Sequence, residues 1–438
     1  MKKLFGTDGL RGTINEELTP ELAMKVGNAV SRLYAGKYKK LLIAKDTRSS
    51  GDLLESALSS GAASAGMDVD LVGVLSTPAL AYLTKKHNYI GAMISASHNP
   101  AVYNGIKVIE KGKKATDDDE VEIENLMSEQ PLHYALHSSV GKISYAPFYR
   151  DEYLEYVLEL YKDKPLFEGN LALDGANGAI VAVIEDILSS LKIKADLHFI
   201  EPDGVNINDN CGSLHPEAIG DKLKDNEIGV LFDGDADRCL FVLPESKVVN
   251  GDMLMALNAK KMRSEGRLKG NVVVSTVMSN LGFEKYLEGL NIKLLRTKVG
   301  DKYVLSKMIE INSNLGGEQS GHIIFMDRNS TGDGLITTLE TLNTLAIGTE
   351  TLNDFYNKFP VYPQTLKNVP TPNKKEVMEC EKLKRILEKL NKDNDIRVVV
   401  RPSGTEPYVR VMVEGADKEI VNNISSELVE IVEDCANA

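Results

Sequence analysis

Three times along this chain an apolar, strand-like run is followed by a helical pattern and then another strand, and that alternation restricts the fold to layered α/β units. The first pass reads LLIAKDTR from Leu41, helical LLESALSSGAASAG, then VDLVGVLSTP, a further helical stretch and GAMISASHNP, ending at Pro100. The theme restarts with NLALDGANGAI at Asn170, followed by helical IVAVIEDILSSL. It starts again with NVVVSTVMSNLG at Asn271, followed by FEKYLEGL and IKLLRTKVGDKYV. Three units of similar rhythm predict a repeated α/β domain.

Two further stretches punctuate the pattern. ATDDDEVEIENLMSEQ, from Ala115, reads as a solvated loop entering a helix, and PVYPQTLKNVPTPNKKE, with four prolines, reads as a linker near residue 360. Beyond it lie a charged helical pattern at 376–391, the strands DIRVVVRPS and YVRVMVEG, and a closing helix from residue 418, a small α+β unit. The expected units are 1–146, 147–248, 249–360 and 361–438.

A length of 438 residues suits several domains of about 100 to 200 residues each. No apolar run approaches the roughly 20 residues of a membrane span. MKKLFGTDGLRG has glycine, aspartate and arginine where a signal peptide needs its apolar stretch, so a cytoplasmic protein without a membrane partner is expected. A net charge of −13 repels phosphate polymers and argues against a nucleic-acid partner, while a local cationic pocket can still hold a small anion. The four cysteines, Cys211, Cys239, Cys380 and Cys435, contain no CxxC pair and are expected to be reduced thiols.

Four polar signatures carry the chemistry. The run YIGAMISASHNP stops on Ser97-His98-Asn99-Pro100 and leaves a serine hydroxyl at a strand end, a candidate nucleophile. Neighbours on an extended segment point to opposite faces, so His98 is expected to be badly placed as a base for Ser97. The alternative reading of Ser97 is a hydroxyl in an ordinary Asn-Pro turn. DGDADR follows the strand IGVLF, and Asp233, Asp235 and Asp237 offer the hard oxygens Mg²⁺ prefers, provided Gly234 and Ala236 let the chain bend. An acidic turn and a covalent aspartyl nucleophile at Asp233 are the competing readings. In GGEQSGH, Glu318, Ser320 and His322 fall at period two and would project to one face of an extended loop, suiting sugar hydroxyls. In RPSGTEP, Arg401 with Ser403, Gly404 and Thr405 could clamp a phosphate, with Arg410 as a second cation or an ordinary strand residue.

In this order along the chain, SASHNP, DGDADR, GEQSGH and RPSGTEP closely resemble the α-D-phosphohexomutase family. The resemblance implies three related α/β/α domains with mixed sheets plus a smaller C-terminal α+β domain around a central cleft. It implies that Ser97 is a phosphoserine and that Ser97, Asp233, Asp235 and Asp237 bind Mg²⁺, with Arg238 supporting the metal loop. It puts Glu318, Ser320 and His322 on the sugar, and Arg401, Ser403, Gly404, Thr405 and Arg410 on the phosphate. Gly300 and Asp301 are counted with the substrate-binding residues. Arg11, Lys107 and His322 match positions used near the transferring group, with His98 beside the serine, and none is assigned as the base.

FGTDGLRG, GEQSGH and RPSGTEP together look like the branch acting on glucosamine phosphate. Two features depart from that branch: Ala236 stands where it usually has glycine, and AVYNG at Ala101 looks more like the mannose and glucose enzymes. The expected activity is therefore interconversion of glucosamine 6-phosphate and glucosamine 1-phosphate through a sugar 1,6-bisphosphate, which also serves as activator. Phosphomannomutase or phosphoglucomutase activity is the alternative, and a non-catalytic sugar-phosphate binder is the alternative of another class. The partner is a small phosphosugar, and nothing in the sequence gives the oligomeric state.

Overall fold

The computed structural model of this protein describes residues 4–6, 8–129, 131–390, 395–403 and 407–437. Its strands form four sheets. The first sheet contains β1 (Phe5–Gly6), β2 (Gly9–Thr13), β3 (Lys40–Lys45), β4 (Asp68–Val74), β5 (Ile90–Ile94), β6 (Tyr103–Glu110), β7 (Lys113–Lys114) and β8 (Ile143–Tyr145). The second contains β9 (Leu171–Asp174), β10 (Ala195–His198), β11 (Ile228–Phe232), β12 (Cys239–Leu243) and β13 (Lys247–Val249). The third contains β14 (Val272–Thr276), β15 (Lys293–Thr297), β16 (Leu315–Gly317) and β17 (Ile323–Phe325). The last contains β18 (Gln364–Pro370), β19 (Ile396–Pro402) and β20 (Tyr408–Gly415).

The first three sheets share one plan. The strand orders β4-β3-β5-β6, β10-β9-β11-β12 and β15-β14-β16-β17 correspond. In each, the first three strands are parallel and the fourth is antiparallel. The repeat read from the sequence is thus a repeat of topology. The turn from third to fourth strand is the place where the parallel run reverses, and the polar signatures at Ser97, Asp233 and Glu318 each occupy it.

Local chemistry starts and stops the helices that cover these sheets. Thr19 caps the helix Pro20–Leu33, its hydroxyl accepting from Leu22 N–H with proline next in line. Thr116 and Asp119 form a reciprocal capping box on Asp117–Ser128, so the acidic run enters a helix as its charges favour. The helices Pro20–Leu33 and Ser50–Ser64 cross at two glycines. A Cβ on Gly27 would stand 2.0 Å from Leu58 O, and one on Gly61 2.0 Å from Met24 O, so neither position tolerates a side chain.

One apolar cluster runs from Leu42 through Phe232 and Phe283 to Phe355, joining the first three units in a common core. The helix Phe148–Tyr161 is a strut across them. Tyr149, Tyr153, Val157 and Tyr161, spaced by four, are its buried stripe, each side chain contributing about 2 kcal/mol of apolar burial. Tyr153 donates to Asp333 at 2.9 Å and Tyr161 to Glu340 at 3.0 Å. The last unit has a separate cluster, from Val369 to Cys435. Among the described residues, no helix is long and apolar enough to cross a membrane.

Two expectations change here. The proline-rich segment is linker only to Pro363. Residues Gln364–Pro370 form β18, paired antiparallel with β20, and Pro370 is tolerated because it ends an edge strand. Cys380 and Cys435 are not free thiols: they form a disulfide across 55 residues, tying the turn after the helix Lys374–Glu379 to the closing helix Lys418–Asn437. Packing brings their Cα atoms to 6.1 Å, a proximity that spacing along the chain could not show. Cys211 and Cys239 are free and buried.

Candidate phosphoryl-transfer site

The serine loop lies on the metal loop. Beyond β5 the chain leaves the extended region, and Ser97 sits at φ +53°, its N–H bonded to Ser95 Oγ at 2.9 Å. Its hydroxyl donates to Asp233 Oδ2 at 2.6 Å. Gly234 makes this approach possible, because a Cβ there would stand 2.5 Å from the Ser97 carbonyl oxygen. Ala236 supplies the predicted bend at φ +54°, a left-handed conformation that costs a non-glycine residue about 1 kcal/mol.

The expectation for His98 is corrected. Because Ser97 is left-handed rather than extended, the opposite-face rule does not apply, and His98 Nδ1 lies 3.3 Å from Ser97 Oγ. Burial and the charges of Arg238 and Arg11 push His98 down to about 4, leaving the ring neutral at pH 7.

Asp233, Asp235 and Asp237 are all buried, and one oxygen from each lies within 4.8 Å of the others. Asp235 Oδ1 and Asp237 Oδ1 are buried without a hydrogen-bond partner among the described residues. Burial and the charges of Asp237 and Asp235 push Asp233 up to about 8. Three crowded carboxylates with orphaned oxygens are a donor set that fits a hard divalent cation such as Mg²⁺. Thr77, at the start of a helix in the first unit, donates to Asp235 Oδ2 at 2.6 Å and fixes the loop from the other side.

Cations ring the carboxylates. Lys107, only 1% exposed, pairs with Asp235 at 2.7 Å and Asp8 at 3.2 Å. Burial opposes its charge, but Asp235, Asp8 and Asp237 outweigh it and raise the Lys107 pKa, so it is a buried cation and not a solvated surface lysine. Asp8 also pairs with Arg11 and Lys114, and Lys114 reaches Asp301 at 2.7 Å. Arg238 Nε stands 4.0 Å from Asp233 and 3.9 Å from Asp237.

GEQSGH does not form one extended face. Glu318 N–H bonds to His322 O at 2.9 Å and Gly321 N–H to Glu318 O at 3.0 Å, closing a hairpin between β16 and β17. Ser320 is exposed at its tip, and Glu318 accepts from the Gly300 N–H at 3.2 Å. His322 is buried, with Nδ1 3.4 Å from Asp237 and Nε2 3.7 Å from Asp301. Burial works against its charge, but Asp237 pushes it up to about 8. The Gly332 N–H, aimed at Nε2 from 3.0 Å, favours the neutral ring instead, and a cation on Asp237 would weaken the upward push. A cavity of about 380 Å³ lined by Lys114, Asp301, Tyr303, His322 and Thr331 adjoins the network. A larger one, about 730 Å³, lies away from it between Phe167, Leu243 and Leu352 and holds none of the four signatures.

Arg401 and Arg410 face each other across β19 and β20. Burial and the Arg410 charge lower the Arg401 pKa, a repulsion that a shared anion would relieve. Ser403 is buried beside them in sequence, whereas Gly404 and Thr405 lie outside the described residues. No hydrogen bond or ion pair among the described residues joins Arg401 or Ser403 to the aspartate cluster. The sequence reading missed Asp8, Thr77 and Lys114. Asp8 stands within the FGTDGLRG run that supplied Arg11, while nothing local marks Thr77 or Lys114.

Residues 2–133, 250–362 and 366–431 match the family models described as phosphoglucomutase/phosphomannomutase α/β/α domain I, α/β/α domain III and C-terminal domain. A phosphoglucosamine mutase from Thermosipho africanus (strain TCF52B) is 47% identical over 430 residues, covering 98% of this chain and 98% of that relative. A solved phosphoglucomutase/phosphomannomutase family protein from Burkholderia thailandensis has a TM-score of 0.83 at 23% identity, covering 99% of this chain and 98% of that one. The Aspergillus fumigatus N-acetylphosphoglucosamine mutase, solved in complex with GlcNAc-6P and magnesium, has a TM-score of 0.70 at 16% identity, covering 99% of this chain and 96% of that one.

Proposed function

This chain belongs to the phosphoglucomutase/phosphomannomutase family, the α-D-phosphohexomutases, and from that premise we propose that it interconverts glucosamine 6-phosphate and glucosamine 1-phosphate. The observation that carries the proposal is the 2.6 Å hydrogen bond from Ser97 Oγ to Asp233, inside a cluster of three buried carboxylates. A hydroxyl so placed is suited to hold a phosphoryl group beside a divalent cation. The preference for the aminosugar follows the phosphoglucosamine mutase names of the relatives.

In the first half-reaction the Oγ–P bond of phosphorylated Ser97 breaks, a new P–O bond forms to the free hydroxyl of the sugar monophosphate, and the proton that hydroxyl loses ends on Ser97 Oγ. The product is a sugar 1,6-bisphosphate. It turns end for end, its other phosphoryl group returns to Ser97, and the isomeric monophosphate leaves. Added bisphosphate therefore also primes the enzyme. Asp233, Asp235 and Asp237, together with Ser97, would hold a Mg²⁺ ion, which when bound would neutralise charge on the phosphoryl oxygens. Lys107, Arg11 and Arg238 add fixed positive charge around the same point. Lys107 cannot serve as the base while Asp235 and Asp8 hold its proton. Neutral His98, 3.3 Å from Oγ, is the group that exchanges the serine proton.

Arg401, Ser403 and Arg410 hold the phosphate that is not reacting, with Gly404 and Thr405 of the same motif. Glu318, Ser320, Gly300 and Asp301 face the sugar. The separate core of the last unit supports its swinging on the residue-360 linker to cover the bound sugar and exclude water. A cytoplasmic setting completes the reading, since ionised sugar phosphates do not cross a bilayer unaided.

The test is isomerisation of glucosamine 6-phosphate beside mannose and glucose 1-phosphates, with Mg²⁺ and a trace of bisphosphate, for wild type and Ser97→Ala. Preference for the aminosugar and an inactive alanine variant are expected. Preference for a neutral hexose phosphate would move the activity to the mannose and glucose branch, and turnover independent of Ser97 would end the proposed mechanism.

A further inference from the structure

Ser97 pays a conformational cost for its position, since its left-handed φ of +53° is unfavourable for a residue with a side chain. The surrounding structure must therefore hold it there. Two side chains from different units do so, and both act on the main chain of the serine loop.

Arg48 follows β3 in the first unit, and its side chain has no exposed surface. Its Nη2 donates to the carbonyls of Ser97 at 3.0 Å and Asn99 at 2.7 Å, and its Nη1 to Pro100 O at 2.6 Å. Nε donates to Asp46 Oδ2 at 3.0 Å, and the same carboxylate accepts the Arg48 N–H at 3.0 Å, so the guanidinium is oriented as well as neutralised. Asn208 comes from the second unit, in the stretch between β10 and β11. Its Nδ2 donates to the same two carbonyls, Ser97 at 2.9 Å and Asn99 at 3.1 Å. Asn208 is held in turn by its own N–H, bonded to Ala176 O at 3.0 Å.

We propose that Arg48 and Asn208 are positioning residues that grip the Ser97 and Asn99 carbonyls from two units and so set where the Ser97 hydroxyl meets the metal loop. The inference rests on the reading of Ser97 as the phosphoryl carrier. Neither residue touches the reacting atoms, since their bonds to this loop end on main-chain carbonyls. Both half-reactions use one serine oxygen, so a displacement of the loop slows transfer in each direction. A misplacement of about 1 Å can cost about 100-fold in rate. Sugar binding, supplied by other loops, is left in place.

The experiment uses full-length Asn208→Ala and Arg48→Lys. Asn208→Ala removes two hydrogen bonds from a half-buried side chain and leaves no buried charge, so it tests the grip even where Arg48→Lys fails to fold. Arg48→Lys keeps the charge but loses the planar fork. The expected result for Asn208→Ala is a fall of about tenfold in kcat, with KM for the sugar phosphate within about twofold. Single-turnover phosphorylation of Ser97 by glucose 1,6-bisphosphate, followed by intact mass, should slow by the same factor. Arg48→Lys should fall further in both. A merely structural role would lower Tm and leave kcat well below Tm unchanged; that result, or a rise in KM at constant kcat, overturns the proposal. Wild type and Ser97→Ala run alongside: if wild-type Ser97 takes no phosphoryl group or Ser97→Ala turns over, the parent reading has failed, whereas a normal wild type with unimpaired Asn208→Ala and Arg48→Lys refutes the grip alone.

Discussion

Replacing Lys107 by methionine keeps the length and most of the volume of the side chain while removing its charge. In wild type that ammonium is 1% exposed and compensates two carboxylates, Asp235 at 2.7 Å and Asp8 at 3.2 Å. Removing one partner from a buried ion pair costs about 3 to 5 kcal/mol, because the remaining charge is left without compensation. Asp8 retains Arg11 and Lys114, so most of the damage falls on Asp235, which among the described residues keeps only the Thr77 hydroxyl on the same oxygen. The loss should therefore be near 3 kcal/mol in metal-free protein, read by chemical denaturation of the three-unit core. A divalent ion at the aspartates takes over part of the compensation, so the loss should shrink in saturating Mg²⁺. By the thermodynamic cycle the variant must then bind Mg²⁺ more tightly than wild type, by the amount the loss has shrunk, even as its kcat falls. Titration calorimetry gives that second number independently. A loss below about 1 kcal/mol without metal, or one identical with and without Mg²⁺, would refute the assignment of Lys107 as the counter-charge of the metal loop.

Other outcomes follow from the same geometry. Asp233 is pushed up to about 8 in the metal-free fold, above its unfolded value, so its contribution is fully present at acid pH and is lost as pH rises through about 8; metal-free stability should fall between about pH 4 and 8, and Mg²⁺ or Asp233→Asn should flatten that slope. Denatured protein kept from reductant should show two titratable thiols, Cys211 and Cys239, and four after reduction. Reduction opens a 55-residue loop and should destabilise the last unit by about 4 kcal/mol on loop entropy, with the first three units unaffected. Arg401→Ala should raise KM for the sugar phosphate by roughly 10- to 150-fold, the equivalent of a charged hydrogen bond worth about 1.5 to 3 kcal/mol, without changing the fraction of phosphorylated Ser97.

The sequence exposed what is local and concealed what depends on folding. The strand–helix alternation, the serine beyond a strand and the three aspartates with small residues between them are patterns of neighbouring residues, and the α/β fold class that the alternation implies is the one observed. Period two in GEQSGH was ambiguous, because Glu318 and His322 at that spacing can also close a hairpin, as they do. The prolines around residue 360 concealed β18, since proline weakens a strand signal without forbidding an edge strand. His98 was misjudged because a single left-handed residue redirects its neighbour. Arg48 carries no local mark in KDTR, and its targets lie about fifty residues away, as do those of Thr77 and Lys114 on still longer spans.

The shared strand order of the first three sheets carries a consequence for how such a protein can change. Each unit presents one exit, between its third and fourth strands, and under the proposed mechanism each exit has a different duty: holding the transferred group, collecting negative charge, and meeting the ligand. Duties divided among separate copies of one scaffold can be revised one at a time. The exposed hairpin tip at Ser320 can be rewritten to suit another sugar while His322, Ser97 and Asp233, the last two anchored in other sheets, keep their places. Diversification of ligand then needs only a short turn to vary, with the machinery of transfer inherited intact.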